Sequence, residues 1–495
     1  MTLVEMLKRD AELFPDKTAL IYGESIISYS VLLGKSNALA NFLLDIGLKK
    51  GERVGLLLKK TPEAIISFLG VAVSGGVVFP IDYNQTLAEI QFILNLTRPS
   101  VLIVAAEFQA LLSKLRLPCL DNKIIVVGQK LRKQYHMWDE LITQQSIIAP
   151  DVTIHSDDIV YLNFTSGTTG VPKGAISTHA NIYWNTLSSV EVLGLTHKDI
   201  HLCMFPVFGH PHELFARPLY LGGTIVLIDN ISPKSIVGAI LDQNVTCMMA
   251  TASIYETLVR FHESHPFNID SLRIPESGGM HVNPSLAKGF KNRFKIPILP
   301  VWGSTETMGI ALATPVEVKY KLGSMGKPCP YCEVKIVGDD GKELPPNNVG
   351  EMVIKGPAVF SEYLGNPGET EKHMKDGWFF TGDLVKKDSE DYFYFIGRKS
   401  GMIKVAGLKV FPTEIEDILS AHPQIAEVAV VKASDHSHGE VPKAVIVLKD
   451  GVKMSKTDIR KYCEERMSRY KVPRIIEFLT ELPKSLGGKI LYRKL

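Results

Sequence analysis

Apolar residues along this chain follow two periods, one helical and one extended. Leu3, Met6, Leu7 and Leu13 recur at helical spacing among Glu5, Lys8, Arg9, Asp10 and Glu12. That spacing predicts an amphipathic helix over 2–14 and no secretory leader. Residues 64–81 carry no charge and are long enough to be weighed as a membrane span. Gly75, Gly76 and Pro80 interrupt them, so the pattern predicts a helix over 62–74, a glycine turn and a short buried strand at Val77, Val78 and Phe79, with no membrane span. β-rich apolar runs at 54–58, 101–105, 124–127, 224–228, 245–250 and 296–301 alternate with helical stretches. Such alternation predicts an α/β fold of stacked layers with mostly parallel sheets. Ligands of sheets of this kind collect beyond the carboxyl ends of the strands.

One stretch concentrates hydroxyls, glycines and a cation: Asn163 to Gly174, after a short apolar strand at Ile159 to Leu162. Gly167, Gly170 and Gly174 let backbone N–H groups turn toward an anion. Thr165, Ser166, Thr168 and Thr169 add hydroxyl donors, and Lys173 adds a positive charge. The set suits a polyphosphate. It is not the common nucleotide P-loop, because the Gly-Lys-Ser/Thr order is absent. A polar surface turn is the plain alternative, disfavoured by the placement of Lys173. Ala175 to Ser177 extends into another strand, and Asn181 opens a helical pattern.

Further stretches carry chemistry of the same kind. Val301-Trp302-Gly303-Ser304-Thr305-Glu306-Thr307 offers a stacking plate, a close backbone approach, phosphate donors and a carboxylate for a hard cation, which suits magnesium with a nucleotide. Upstream, Ser277-Gly278-Gly279-Met280 forms a glycine turn able to admit a flat base. Thr381-Gly382-Asp383 places a carboxylate after a tight turn, where it can accept both hydroxyls of a ribose. Arg398 follows Ile396-Gly397, and Ile403 to Gly407 includes Lys404. Near the end, Gly487-Gly488 presents Lys489. Taken singly, Arg398 and Lys489 read as solvated surface charges.

Composition narrows the classes. A chain of 495 residues with 45% hydrophobic content holds sizeable cores in about two to four domains. The formal net charge of +2 gives no block charge calling for nucleic acid or a membrane surface. Six cysteines scattered along the chain imply reduced, cytoplasmic usage. Cys329 and Cys332 have redox or zinc spacing but no accompanying ligands, and read as ordinary cysteines.

In order and spacing these stretches resemble the adenylate-forming superfamily of acyl- and aryl-CoA synthetases, luciferases and nonribosomal-peptide adenylation domains, over essentially the whole chain. The resemblance implies a large N-terminal domain of stacked sheets and helices, 1–397, and a small mobile α+β domain, 398–495. It implies an AMP-forming acid–thiol ligase using ATP, Mg2+ and coenzyme A. A carboxylate attacks the α-phosphate to give an acyl-adenylate and pyrophosphate, and a thiol then displaces AMP. By the same resemblance Thr165, Ser166, Thr168, Thr169 and Lys173, with Gly167 and Gly170, hold the β- and γ-phosphates. Thr305 holds the α-phosphate, Glu306 binds magnesium, and Trp302 lies against the adenine, with Gly303, Ser304, Gly278, Gly279 and Met280 counted among the cofactor-binding residues. Asp383 takes the ribose hydroxyls, Arg398 lies near ribose and phosphate, and Lys489 bridges the substrate carboxylate and α-phosphate. Lys404 and Gly407 belong to the loop that faces the site during thioester formation.

The chain departs from the family pattern at three places. Trp302 stands where Tyr is usual, keeping stacking area and losing the phenol hydroxyl. Ser400 and Gly401 follow Arg398 and Lys399 where acidic residues are frequent, which affects the hinge residue and not the rotation of the small domain. Gly209 replaces the usual His of the acyl pocket, which by family position includes Phe208, His210, Met280, Met308, Gly309 and Ile310. The absence of aspartate among residues 205–212 argues against an α-amino acid, and Met280, Met308 and Ile310 suggest an apolar acid. A rival reading transfers the acyl group to a phosphopantetheinyl carrier protein. Another is a catalytically silent nucleotide-binding homologue, disfavoured because Glu306 and Lys489 are both present.

Overall fold

A computed structural model describes the chain except residues 118–119, 121–122, 130, 133, 166–171, 208–210, 280, 317, 319, 406–407, 436–438 and 485–489, and the side chains of 165, 211–214 and 493. The first helix runs Leu3–Leu13, with Thr2 and Glu5 closing a capping box at its start. The uncharged span resolves into the helix Pro62–Val73 and the strand Val77–Pro80. Ser74 caps the helix and Gly75 turns the chain at φ +75°. Among the described residues no helix is long and apolar enough to cross a membrane.

Two sheets of seven strands dominate the N-terminal part. One has the spatial order Leu299–Pro300, Ile274–Ser277, Cys247–Ala250, Ile200–Cys203, Thr224–Leu227, Thr18–Tyr22, Ser25–Ser28. The other runs His136–Met137, Ile124–Val127, Val101–Ala105, Arg53–Leu57, Val77–Pro80, Ile159–Thr165, Lys173–Thr178. Both are parallel except for an antiparallel pair at one edge. A single buried cluster contains Leu20 and Ile225 of the first sheet, Val54, Ile103 and Tyr161 of the second, and Leu7, Leu39 and Phe68 from helices. The helices Leu3–Leu13, Tyr29–Asp45 and Pro62–Val73 therefore form a layer shared by both sheets.

Antiparallel strands follow. Trp302–Ser304 pairs with Gly309–Ala313, and a further sheet joins Glu333–Val337, Gly350–Lys355, Trp378–Lys387 and Phe393–Arg398. The C-terminal domain has its own sheet, built on the long hairpin of Ile425–Asp435 and Gly439–Leu448. It also has its own core, with Ile403, Ile415, Ile446 and Ile459 fully buried. The protein is thus an α/β molecule with a large N-terminal and a small C-terminal domain.

Candidate active site

The segment 302–306 touches the surrounding motifs on several sides. Trp302–Ser304 is a short strand, and a bulge between Trp302 and Gly303 shifts its register against Gly309–Ala313. Only glycine fits at 303, because a Cβ there would lie 2.3 Å from the Gly309 carbonyl oxygen. Thr305–Thr307 forms a tight 3-10 turn that ends at Met308 with φ 56°. The Thr307 hydroxyl donates to the Gly309 carbonyl at 2.7 Å and accepts the Ser304 N–H at 3.0 Å. Asn185, 3% exposed, donates to the carbonyls of Thr307 and Ile310 at 3.0 Å each. Asn185 does not stand out in the sequence, and Thr307 does so only as the end of the stretch 301–307, yet together they hold the turn that aims Thr305 and Glu306.

On the phosphate-loop side, Thr165 and Lys173 are register partners at the ends of Ile159–Thr165 and Lys173–Thr178. Residues 166–171, including Ser166, Gly167, Thr168, Thr169 and Gly170, lie outside the described residues. Asn163 Nδ2 approaches Thr305 Oγ1 at 3.5 Å. Lys173, 8% exposed, forms an ion pair with Glu369 on the helix Pro367–His373. Hydrogen bonds from Lys173 and Lys372 pull the Glu369 carboxyl down to about 2. The Lys173 ammonium also lies 5.7 Å from the centre of the Tyr363 ring. The Tyr363 hydroxyl in turn donates to Glu306 Oε1 at 2.6 Å. Burial, with the Glu306 charge second, raises the Tyr363 pKa far enough to keep its phenol a donor. Tyr363 and Glu369 thus join the loop cation to the candidate metal carboxylate.

On the nucleoside side, Asp383 and Arg398 are register partners on antiparallel strands. Arg398 Nε lies 2.5 Å from Asp383 Oδ1, the arginine side chain 53% exposed and the aspartate side chain 1%. The Trp302 indole N–H donates to Asp383 Oδ2 at 2.7 Å. Gly382 has φ +73°, which lets Thr381 hydrogen-bond the Met352 carbonyl and accept the Asp383 N–H.

The remaining sequence candidates are spread more widely. Gly278 and Gly279 follow the strand Ile274–Ser277, and Met280 is outside the described residues. Met308 is fully buried with Ala175, Phe360, Tyr363 and Phe379, and Ile310, 3% exposed, packs with Val301 and Cys329. Phe208, Gly209, His210, Gly407 and Lys489 lie outside the described residues. Lys404 is exposed on the strand Ile403–Val405, and its backbone N–H donates to Glu440 at 2.9 Å. Lys484 and Ile490, which flank the Lys489 segment, form an isolated bridge. The C-terminal domain meets the glycine turn where His281 Nε2 lies 3.1 Å from Asp417. Cys329 and Cys332 are free, with both thiols pushed up by burial.

A buried ion pair braces the region around the predicted acyl pocket. Arg217, on the helix Pro211–Leu221, places Nη1 3.0 Å from both carboxylate oxygens of Glu276, one residue before Ser277. Burial pushes the neighbouring His201 down to about 3 and the Cys203 thiol up to about 12, so both are neutral at physiological pH.

Comparison with known proteins agrees with this arrangement. Residues 7–364 match the AMP-binding enzyme family, and residues 414–489 match the AMP-binding enzyme C-terminal domain. The indoleacetate–CoA ligase of Aromatoleum aromaticum is 31% identical over 99% of this chain and 96% of its own length. The 4-hydroxybutyrate–CoA ligase 1 of Metallosphaera sedula is 33% identical over 96% of this chain and 86% of its own. Among solved structures, the anthranilate CoA ligase AuaEII in complex with anthranoyl-AMP superposes with a TM-score of 0.93 at 29% identity, covering 99% of this chain and 95% of that one. By fold, by ordered motifs and by these similarities, the chain belongs to the AMP-binding enzymes of the adenylate-forming superfamily.

Proposed function

We propose that this protein is a carboxylic acid–CoA ligase acting through an acyl-adenylate. In the first step a carboxylate oxygen of the acid bonds to the α-phosphorus of ATP while the bond to the bridging oxygen breaks and pyrophosphate leaves. In the second, the thiol sulfur of coenzyme A bonds to the acyl carbon and gives up its proton, the bond from that carbon to the bridging anhydride oxygen breaks, and AMP departs with that oxygen. The observation that carries the reading is the reach of segment 302–306. Trp302 bonds Asp383, Thr305 approaches Asn163 beside the phosphate loop, and Glu306 connects through Tyr363 to Lys173. A ribose carboxylate, an α-phosphate hydroxyl and a γ-phosphate cation are then set around one turn, which suits alignment and charge stabilisation without a protein nucleophile.

In this reading the hydroxyls at 165, 166, 168 and 169 and Lys173 take the β- and γ-phosphates, and Thr305 the α-phosphate. Asp383 holds the ribose, with Arg398 beside it. Lys489 stabilises the charge that develops between the acid and the α-phosphate. Magnesium fits beside Glu306. One hard carboxylate next to a phosphate site is a donor set Mg2+ accepts, and among the described residues no group of three or more His, Cys, Asp or Glu forms an all-protein cage. When bound, the ion neutralises phosphate charge.

The acid we favour has an apolar tail and no α-ammonium. No aspartate occurs at 205–212, Val207 is buried, and the Arg217–Glu276 pair compensates its own charges. The relatives are named for indoleacetate, 4-hydroxybutyrate and anthranilate. The test measures pyrophosphate and AMP release from ATP across straight-chain, aromatic and amino acids, with and without CoA. Pyrophosphate release with one acid class and AMP turnover requiring CoA support the proposal. Adenylate that CoA fails to discharge points to a carrier protein, and silence across the panel overturns the ligase reading for these acids.

A further inference from the structure

We propose that Trp302 is a positioning residue for the nucleotide: its indole N–H orients the Asp383 carboxylate for the ribose hydroxyls. The proposal rests on reading Asp383 as the ribose ligand. A carboxylate offers about four lone-pair directions. Trp302 occupies one on Oδ2 at 2.7 Å, and Arg398 Nε lies against Oδ1 at 2.5 Å. Asp383 is only 1% exposed, so fixed donors rather than bulk water must hold its charge and its rotation.

The indole is well placed for that work because its ring is held. The bulge at Trp302 and Gly303 lets it pack in one cluster with Leu312, Met352, Ile354, Val385 and Phe393, where it is 9% exposed. Val385 lies on the same strand as Asp383, two residues on, so ring packing and carboxylate orientation share one support. Arg398, by contrast, is half exposed and sits at the last residue of its strand. Of the indole and the guanidinium, the indole is the rigid one. A phenylalanine here keeps an aromatic face and loses the donor.

The experiment compares ATP with 2′,3′-dideoxy-ATP in the pyrophosphate assay for the parent, Trp302→Phe and Asp383→Ala. Trp302→Phe is expected to raise KM for ATP about tenfold, as for loss of a hydrogen bond to a charged group. The same change should move KM for the dideoxy nucleotide less than about twofold, and kcat little with either. Because Trp302 is in a packed cluster, a second variant carries 3-benzothienylalanine at 302, which retains the fused ring and lacks the N–H. It should show the same selective loss of ATP over the dideoxy nucleotide, since packing is kept and only the donor is removed. If Asp383→Ala raises KM for ATP and not for the dideoxy nucleotide, but both changes at 302 weaken the two nucleotides equally, or neither, the role of Trp302 is overturned while the ribose reading stands. If Asp383→Ala changes KM for the two nucleotides equally, or for neither, the ribose reading falls, and the proposal with it.

Discussion

Replacing Arg217 by methionine tests how firmly the acyl side of the site is braced. The substitution keeps much of the side-chain volume but removes the guanidinium from a pair whose side chains are 6% and 2% exposed. Glu276 is then left with an expensive choice. Staying ionised costs several kcal/mol of desolvation. Taking up a proton costs about 1.4 kcal/mol for each pH unit above an unfolded pKa of about 4.3, or about 3.7 kcal/mol near pH 7. We therefore expect Arg217→Met to lose about 3–5 kcal/mol at neutral pH. The sign with pH follows from linkage. In the variant the folded pKa of Glu276 is raised, so above about pH 4.3 the folded state binds more protons than the unfolded one and stability falls as pH rises. Near pH 5 the proton cost shrinks to about 1 kcal/mol, leaving mainly lost packing. Urea denaturation of parent and variant at several pH values reads both quantities, with Arg217→Met/Glu276→Leu expected to recover most of the loss. A deficit below about 1 kcal/mol at neutral pH, or one that does not change with pH, refutes the account.

Other predictions concern the site and the N-terminal helix. Glu369→Gln removes an anion that competes with the triphosphate for Lys173, so KM for ATP should fall severalfold with little change in kcat; a raised KM would mean that Glu369 instead holds the lysine in place. Lys489→Ala should suppress adenylate formation far more than thioester formation from supplied acyl-adenylate, and single-turnover assays of each half-reaction showing equal losses would remove its first-step role. Burial holds His179 down to about 4 while its Nδ1 accepts the Leu3 N–H. The unfolded imidazole takes a proton below about 6.5, so stability declines as pH falls from there toward about 4. His179→Asn retains an acceptor and should flatten this acid limb by up to about 3 kcal/mol in urea midpoints; an unaltered limb contradicts the assignment.

Local patterns in the sequence carry much of the fold. The first helix ends within a residue of its expected bounds because Thr2 and Glu5 cap it through neighbours three positions apart. The uncharged span divides at its glycines, since a left-handed turn at Gly75 is a local event. The run at 296–301 is less regular than its composition suggests: only Leu299–Pro300 pairs, on a sheet edge, where Pro297 and Pro300 offer no N–H to the ladder.

The sequence alone determined the layered α/β character, the family resemblance and the order of the candidate phosphate, metal and ribose motifs, because each is written in neighbouring residues. The tertiary structure decided how those motifs meet. Glu369 partners a lysine 196 positions away, Tyr363 reaches Glu306 across 57, and Trp302 reaches Asp383 across 81. None of these separations leaves a periodic signature, and Glu369 or Tyr363 read in sequence is an ordinary helix or turn residue. The Tyr-to-Trp exchange was visible as a lost hydroxyl. That the indole N–H meets a buried carboxylate instead depends on a strand bulge and a packed ring, which exist only once distant strands have come together.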